Sequence, residues 1–127
     1  GETYYYENSP INQQNSLIQK DDKQQKKKIE CLKLDSVLMK YNVGSFEYLN
    51  IDVEGSELNV IEGINFRKFS PILITIENND LFPEDYFNNE VYKILKKNNY
   101  IFINKIGVTN FFMIKKFANQ ISDLIKI

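Results

Sequence analysis

Two carboxylates each close an apolar run in the middle of this sequence. Ile51-Asp52-Val53-Glu54-Gly55 ends one run, and Ile76-Glu77-Asn78-Asn79-Asp80 ends the next. If the two runs are neighbouring parallel strands, about 4.8 Å apart, the side chains at their ends face one pocket. Open α/β sheets bind ligands at that place, outside the carboxyl ends of the strands. Asp52 and Glu77 could there orient a substrate hydroxyl, accept its proton, or bind a hard cation through oxygen. Gly55 allows a tight turn or a close backbone approach to a ligand, and Ser56 starts a helix with its amides exposed. A plainer reading applies to Glu54 and Glu57, because acidic residues between a strand and a helix commonly cap the helix and complement its dipole. Asp52 stands apart because it lies within an apolar run, where an unpaired carboxylate is costly.

Strands and helices must alternate to position these groups, and the sequence supplies that alternation after Lys28. Ile29-Glu30-Cys31-Leu32 alternates as a short strand. Asp35 or Ser36 can N-cap a helix carrying Val37, Leu38 and Tyr41, which Asn42 and Gly44 stop. Phe46 to Val53 reads as a strand, Ser56 to Glu62 as a short helix ending at Gly63, and Pro71 to Glu77 as a buried strand apolar on both faces. Asp80 to Asn98 has helical spacing through Phe87, Val91, Ile94 and Leu95, with Pro83 and Glu84 suited to its first turn. Tyr100 to Ile106 and Asn110 to Lys116 form a hairpin through Gly107-Val108-Thr109. Phe117, Ile121, Leu124 and Ile125 align on a terminal helix. The expected fold class is α/β, a mostly parallel sheet with one antiparallel strand contributed by the terminal hairpin.

Residues 1–28 differ in character. They are polar and rich in Asn, Gln, Asp and Lys, and are expected to form a leader or loop of low regularity ahead of a domain over residues 29–127. The run from Lys20 to Lys28 could be taken for a phosphate-binding patch, but Asp21 and Asp22 dilute its charge and a solvated linker is the plainer reading. The whole chain has 16 basic and 17 acidic residues and a net charge of -1. That balance gives no field to gather nucleic acid or an anionic membrane surface. No apolar stretch approaches the roughly 20 residues that span a bilayer, and no signal peptide is visible at the N-terminus. A cytoplasmic location is expected. With no His and only Cys31, Ser-His and Cys-His nucleophiles are excluded and no zinc-type ligand set exists.

The run from Leu49 through Gly63, Leu-Asn-Ile-Asp-Val-Glu-Gly-Ser-Glu-Leu-Asn-Val-Ile-Glu-Gly, closely resembles the signature of FkbM-type methyltransferases. In that family an Asp-Val-Glu-Gly segment is followed by Glu-Leu-x-Val-Leu-x-Gly. The segment Cys31 to Leu38 is similar to the family's upstream strand and helix start, and Ser70 to Glu77 to its following strand ending in Glu. Three segments in order, across residues 29 to 116, make the resemblance specific. It implies the Rossmann-like sheet of class I methyltransferases and methyl transfer from S-adenosylmethionine, usually to an oxygen of a sugar or other natural product. It implies that Asp52 and Glu54 lie beside the methyl-donor pocket, with Asp52 and Glu77 catalytic and Glu77 and Asn78 on the acceptor side. Some related O-methyltransferases hold a divalent metal at the corresponding strand ends; no metal ligand is assigned here.

The sequence departs from the family's pattern in one respect. Class I methyltransferases carry a glycine-rich turn after their first strand, and Gly1, Gly44, Gly55, Gly63 and Gly107 lie too far apart to form it. The first three strands are expected before Gly1, which makes this chain the acceptor-side, C-terminal part of the domain. The free sheet edge would invite pairing with another chain, as in a homo-oligomer. The competing reading is a non-catalytic, methyltransferase-like interaction module or relic. On the absent turn, the chain by itself is expected to bind S-adenosylmethionine weakly or not at all. A calorimetric titration returning micromolar affinity would overturn that expectation.

Overall fold

The computed structural model describes residues 2–7, 25–78 and 88–125. Two strands, β1 (Glu2–Glu7) and β2 (Gln25–Glu30), pair antiparallel as a separate two-stranded sheet with Tyr6 opposite Lys26 and Tyr4 opposite Lys28. This corrects the expectation of irregular chain at residues 2–7 and 25–28, and of a strand over Ile29 to Leu32 in the main sheet, since β2 ends at Glu30 and pairs only with β1. A two-stranded ribbon need not bury a face, so β2 shows none of the apolar alternation by which strands are recognised.

The remaining elements are α1 (Leu34–Lys40), β3 (Tyr48–Ile51), α2 (Glu57–Glu62), β4 (Leu73–Glu77), α3 (Glu90–Lys97), β5 (Tyr100–Ile106), β6 (Thr109–Ile114) and α4 (Lys115–Ile125). The main sheet has the order β3-β4-β6-β5. β3 and β4 are parallel, whereas β6 runs antiparallel to both β4 and β5. The fold is therefore α/β with a mixed four-stranded sheet, where a mostly parallel one was expected. The hairpin causes the difference: β6 inserts between β4 and β5, so the only parallel pairing among the described strands is that of β3 with β4. Gly107 takes φ +59 at the first position of the two-residue hairpin turn, where a side chain would be strained. Thr109 belongs to β6, not to the turn.

One sheet face carries the core. Ile51, Ile74, Ile76, Tyr100 and Phe112 pack with Ile61 of α2 and with Val91 and Leu95 of α3, all buried. Each such aliphatic or aromatic side chain contributes about 1.5–3 kcal/mol relative to exposure. Phe46 stacks on the buried Phe69, and Phe66 meets Tyr100 edge-on. Tyr100 donates its hydroxyl to the Pro71 carbonyl at 2.6 Å, which lets a phenol enter the core with its polar atom satisfied. Asn110, also buried, donates its side-chain amide to the Ile76 carbonyl at 3.2 Å and ties β6 to β4.

Helix ends are set by particular side chains. Asp35 is not an N-cap: it is the second residue of α1, which starts from Lys33, and its Oδ1 accepts the Asn65 backbone N–H at 2.8 Å. The helix expected from Asp80 has its capped start at Asn89, whose Oδ1 accepts from the amides of Val91 (2.8 Å) and Tyr92 (3.3 Å). Pro83, Glu84 and Phe87 lie outside the described residues. Among the described residues no helix is long and apolar enough to cross a membrane. Replacing Asn89 with Ala should destabilise the fold by about 1 kcal/mol, and Asn89→Asp should retain most of the stability, measured by urea denaturation.

Candidate active site

The β3–β4 register sets Asn50 against Thr75 and Ile51 against Ile76. One step further, Asp52 leaves β3 and Glu77 ends β4. Side chains alternate across a strand, so Tyr48, Asn50, Thr75 and Glu77 occupy the sheet face opposite the core. The two candidate catalytic residues meet: the Asp52 carboxyl stands close enough to Glu77 to act on it by its charge and to accept a hydrogen bond from it when Glu77 is protonated. The Glu77 pKa is raised above 4.5, first by the charge of Asp52, then by partial desolvation, by the hydrogen bond to Asp52, and by the charges of Glu54 and Glu57. Like charges forced together produce this direction of shift.

Asp52 is exposed, which corrects the argument that it sits unpaired inside an apolar run. β3 stops at Ile51, so the carboxylate emerges beyond the sheet, and its significance comes from Glu77 beside it. The turn that follows is conformationally unusual. Glu54 has φ 54 and Gly55 φ 100, two successive left-handed residues, of which the first costs about 1–2 kcal/mol for a side-chain-bearing residue. Glu57, buried at 8% exposure, reaches back from the first turn of α2, and its Oε1 accepts the Gly55 N–H at 2.9 Å. Glu57 thus lies in the first turn of α2, where its charge complements the helix dipole, but its bond fastens the preceding turn and does not cap a helix amide. Ser56 is the N-cap residue but makes no side-chain capping bond.

Reasoning from the sequence missed the polar network beside the pair. Thr75, 2% exposed, donates its hydroxyl to Asn50 Oδ1 at 2.7 Å and stands 2.7 Å from the Tyr48 hydroxyl. Alternation of Tyr48, Asn50 and Asp52 at every second position was the available signal. Asn78 is held at the site's margin, its backbone N–H donating to the Val108 carbonyl at 2.9 Å; Asn79 and Asp80 lie outside the described residues. No group of three or more acidic, His or Cys side chains among the described residues is arranged to hold a metal ion. The arrangement can accept a proton from a hydroxyl. The crowding of negative charge at Glu77 also suits a cationic group, whose charge would relieve it.

A family model described as Methyltransferase FkbM domain matches residues 2–102. No curated protein and no solved structure shows significant similarity to the chain.

Acidic titration reads out the pair directly. Raising a carboxyl pKa on folding means that the folded state holds more protons than the unfolded one, so stability falls as pH rises from about 4.5 towards the folded value. Glu77→Gln should remove that loss, and its melting temperature should gain on the wild type across this window. In NMR titrations the Glu77 carboxyl should titrate above 4.5, and should move back towards 4.5 in Asp52→Asn.

Proposed function

Because this chain belongs to the FkbM methyltransferase family, we propose that it supplies the acceptor side of an S-adenosylmethionine-dependent O-methyltransferase acting on a hydroxyl of a sugar or other natural product. The observation that carries this reading is the meeting of the Asp52 and Glu77 carboxyls at the ends of two adjacent parallel strands. Ligands of open α/β sheets sit there. In the same reading the mixed sheet is the C-terminal portion of a Rossmann-like sheet, and the parallel β3–α2–β4 unit supports this. A cytoplasmic location belongs to the same proposal.

S-adenosylmethionine, when bound, supplies an electrophilic methyl group on a positively charged sulfur. Asp52 and Glu54 complement that charge, and the Gly55 turn lets backbone come close to the donor. The Asp52–Glu77 pair receives the proton of the acceptor hydroxyl as the oxygen becomes nucleophilic. A carboxyl whose pKa is raised towards working pH is a better base than an ordinary one, and Glu77 is raised. β3 forms one edge of the described sheet, and pairing along it with a second copy belongs to the same proposal.

The second reading is a methyltransferase-like module without catalysis. Methyl transfer from isotopically labelled S-adenosylmethionine, assayed on the longest native protein that carries these residues, separates the two. Asp52→Ala should lower kcat by about 10²-fold or more with an unchanged circular dichroism spectrum. Wild-type turnover in that variant would remove Asp52 from the mechanism, and absence of transfer by the wild type would favour the module.

A further inference from the structure

The Tyr48–Thr75–Asn50 network has a direction. A threonine hydroxyl carries one hydrogen, and Thr75 gives it to Asn50 Oδ1. The 2.7 Å contact with Tyr48 must then be donated by the tyrosine hydroxyl. Asn50 Oδ1 is thereby engaged, its carboxamide plane is held, and its NH₂ group is left as an outward donor on an exposed residue. Thr75 is buried, so water does not compete for the bonds that hold this arrangement.

Tyr48 is held in an uncommon pose. It pairs with Leu73 in register, but its hydroxyl reaches Thr75, two residues further along β4. Strand side chains usually stand up from the sheet; to reach this diagonal neighbour the ring must lie down along it. Tyr48 is nevertheless 54% exposed, so the residue remains open to contact from solvent. Asn50 follows Tyr48 on the same sheet face, and the Asp52–Glu77 pair lies about 7 Å beyond Asn50 along the strand.

An aromatic platform, an oriented donor and a proton acceptor thus succeed one another at alternate positions of one edge strand. We propose that Tyr48 and Asn50 form an acceptor subsite for a hydroxylated six-membered ring, with Tyr48 beneath its face and the Asn50 NH₂ donating to an oxygen on its edge. The face of an aromatic ring is electron-rich, so it attracts the polarised C–H bonds of a saccharide face and equally takes an offset-stacked phenol. Either ring, seated there, directs a further hydroxyl towards Asp52 and Glu77. Thr75 is a positioning residue that acts through Asn50 and Tyr48. The consequence for turnover rests on the methyltransferase reading; the binding of the ring does not.

Ligand titration of the purified, isotope-labelled protein tests this with two neutral panels, methyl pyranosides and catechols, followed by ¹H–¹⁵N NMR. At least one panel should shift the Asn50 side-chain NH₂ and the Tyr48 ring resonances, and the responding panel identifies the ring type. Asn50→Ala and Tyr48→Ala should each weaken that binding about tenfold or more. Tyr48→Phe keeps the platform but releases its anchor and should show a smaller loss, as should the isosteric Thr75→Val, whose fold is checked by the same spectra. Absence of these shifts with both panels at millimolar concentration overturns the proposal, as does binding that survives in Asn50→Ala and Tyr48→Ala. Methyl transfer without ring binding at these residues overturns the subsite and leaves the methyltransferase reading standing. Ring binding without methyl transfer supports the subsite and counts against that reading alone.

Discussion

The backbone hydrogen bonds between β3 and β4 hold Ile51 against Ile76, and the acidic end of the sheet depends on that register. A slip of one residue would turn one strand's side chains over, placing Asp52 or Glu77 on the apolar face and separating them. Burial prevents the slip. Ile51, Ile74 and Ile76 occupy the core face with Ile61, Val91 and Leu95, and exposing even two of them would cost about 3–6 kcal/mol. The apolar face thus determines where the carboxylates of the opposite face stand.

The fold also holds an electrostatic conflict in place. Asp52, Glu54, Glu57 and Glu77 lie close enough for the other three to raise the Glu77 pKa. Isolated carboxylates at such spacing would move apart. Here two are fixed by adjacent strands, Glu57 is bonded to the Gly55 amide, and Glu54 sits in a left-handed turn. Strain of this kind persists where the surrounding structure over-determines it, and it concentrates at functional sites. Protonation of Glu77 relieves the repulsion, which is why its pKa is raised.

Much of the fold was legible in residue patterns. The apolar run before Glu77 revealed β4, the spacing of Val91, Ile94 and Leu95 revealed α3, and Gly107 between two strand-like runs revealed the hairpin. The strand-to-helix passage was read with the strand running two residues too far, to Val53 where β3 ends at Ile51, and the helix starting one residue early, at Ser56 where α2 starts at Glu57. β1 and β2 were not legible, because a ribbon paired only with itself lacks an apolar stripe. The Asp35 carboxylate was read as a local cap and instead serves Asn65, since a carboxylate finds whichever amide the tertiary structure brings to it.

The sequence by itself determined that two acidic residues end consecutive strands of an α/β sheet, because local apolar periodicity and strand-ending glycine and acid residues are short-range features. It also carried the family resemblance in the run from Leu49 to Gly63. Only the tertiary structure decided that β3 and β4 are neighbours in this register, that β6 rather than β5 lies against β4, and that Asp52 and Glu77 stand side by side. It alone connected Tyr48, Thr75 and Asn50, residues 25 and 27 positions apart across the β3–β4 pairing. Contacts across such separations arise from packing two strands against a common core, and no local pattern of residues encodes them.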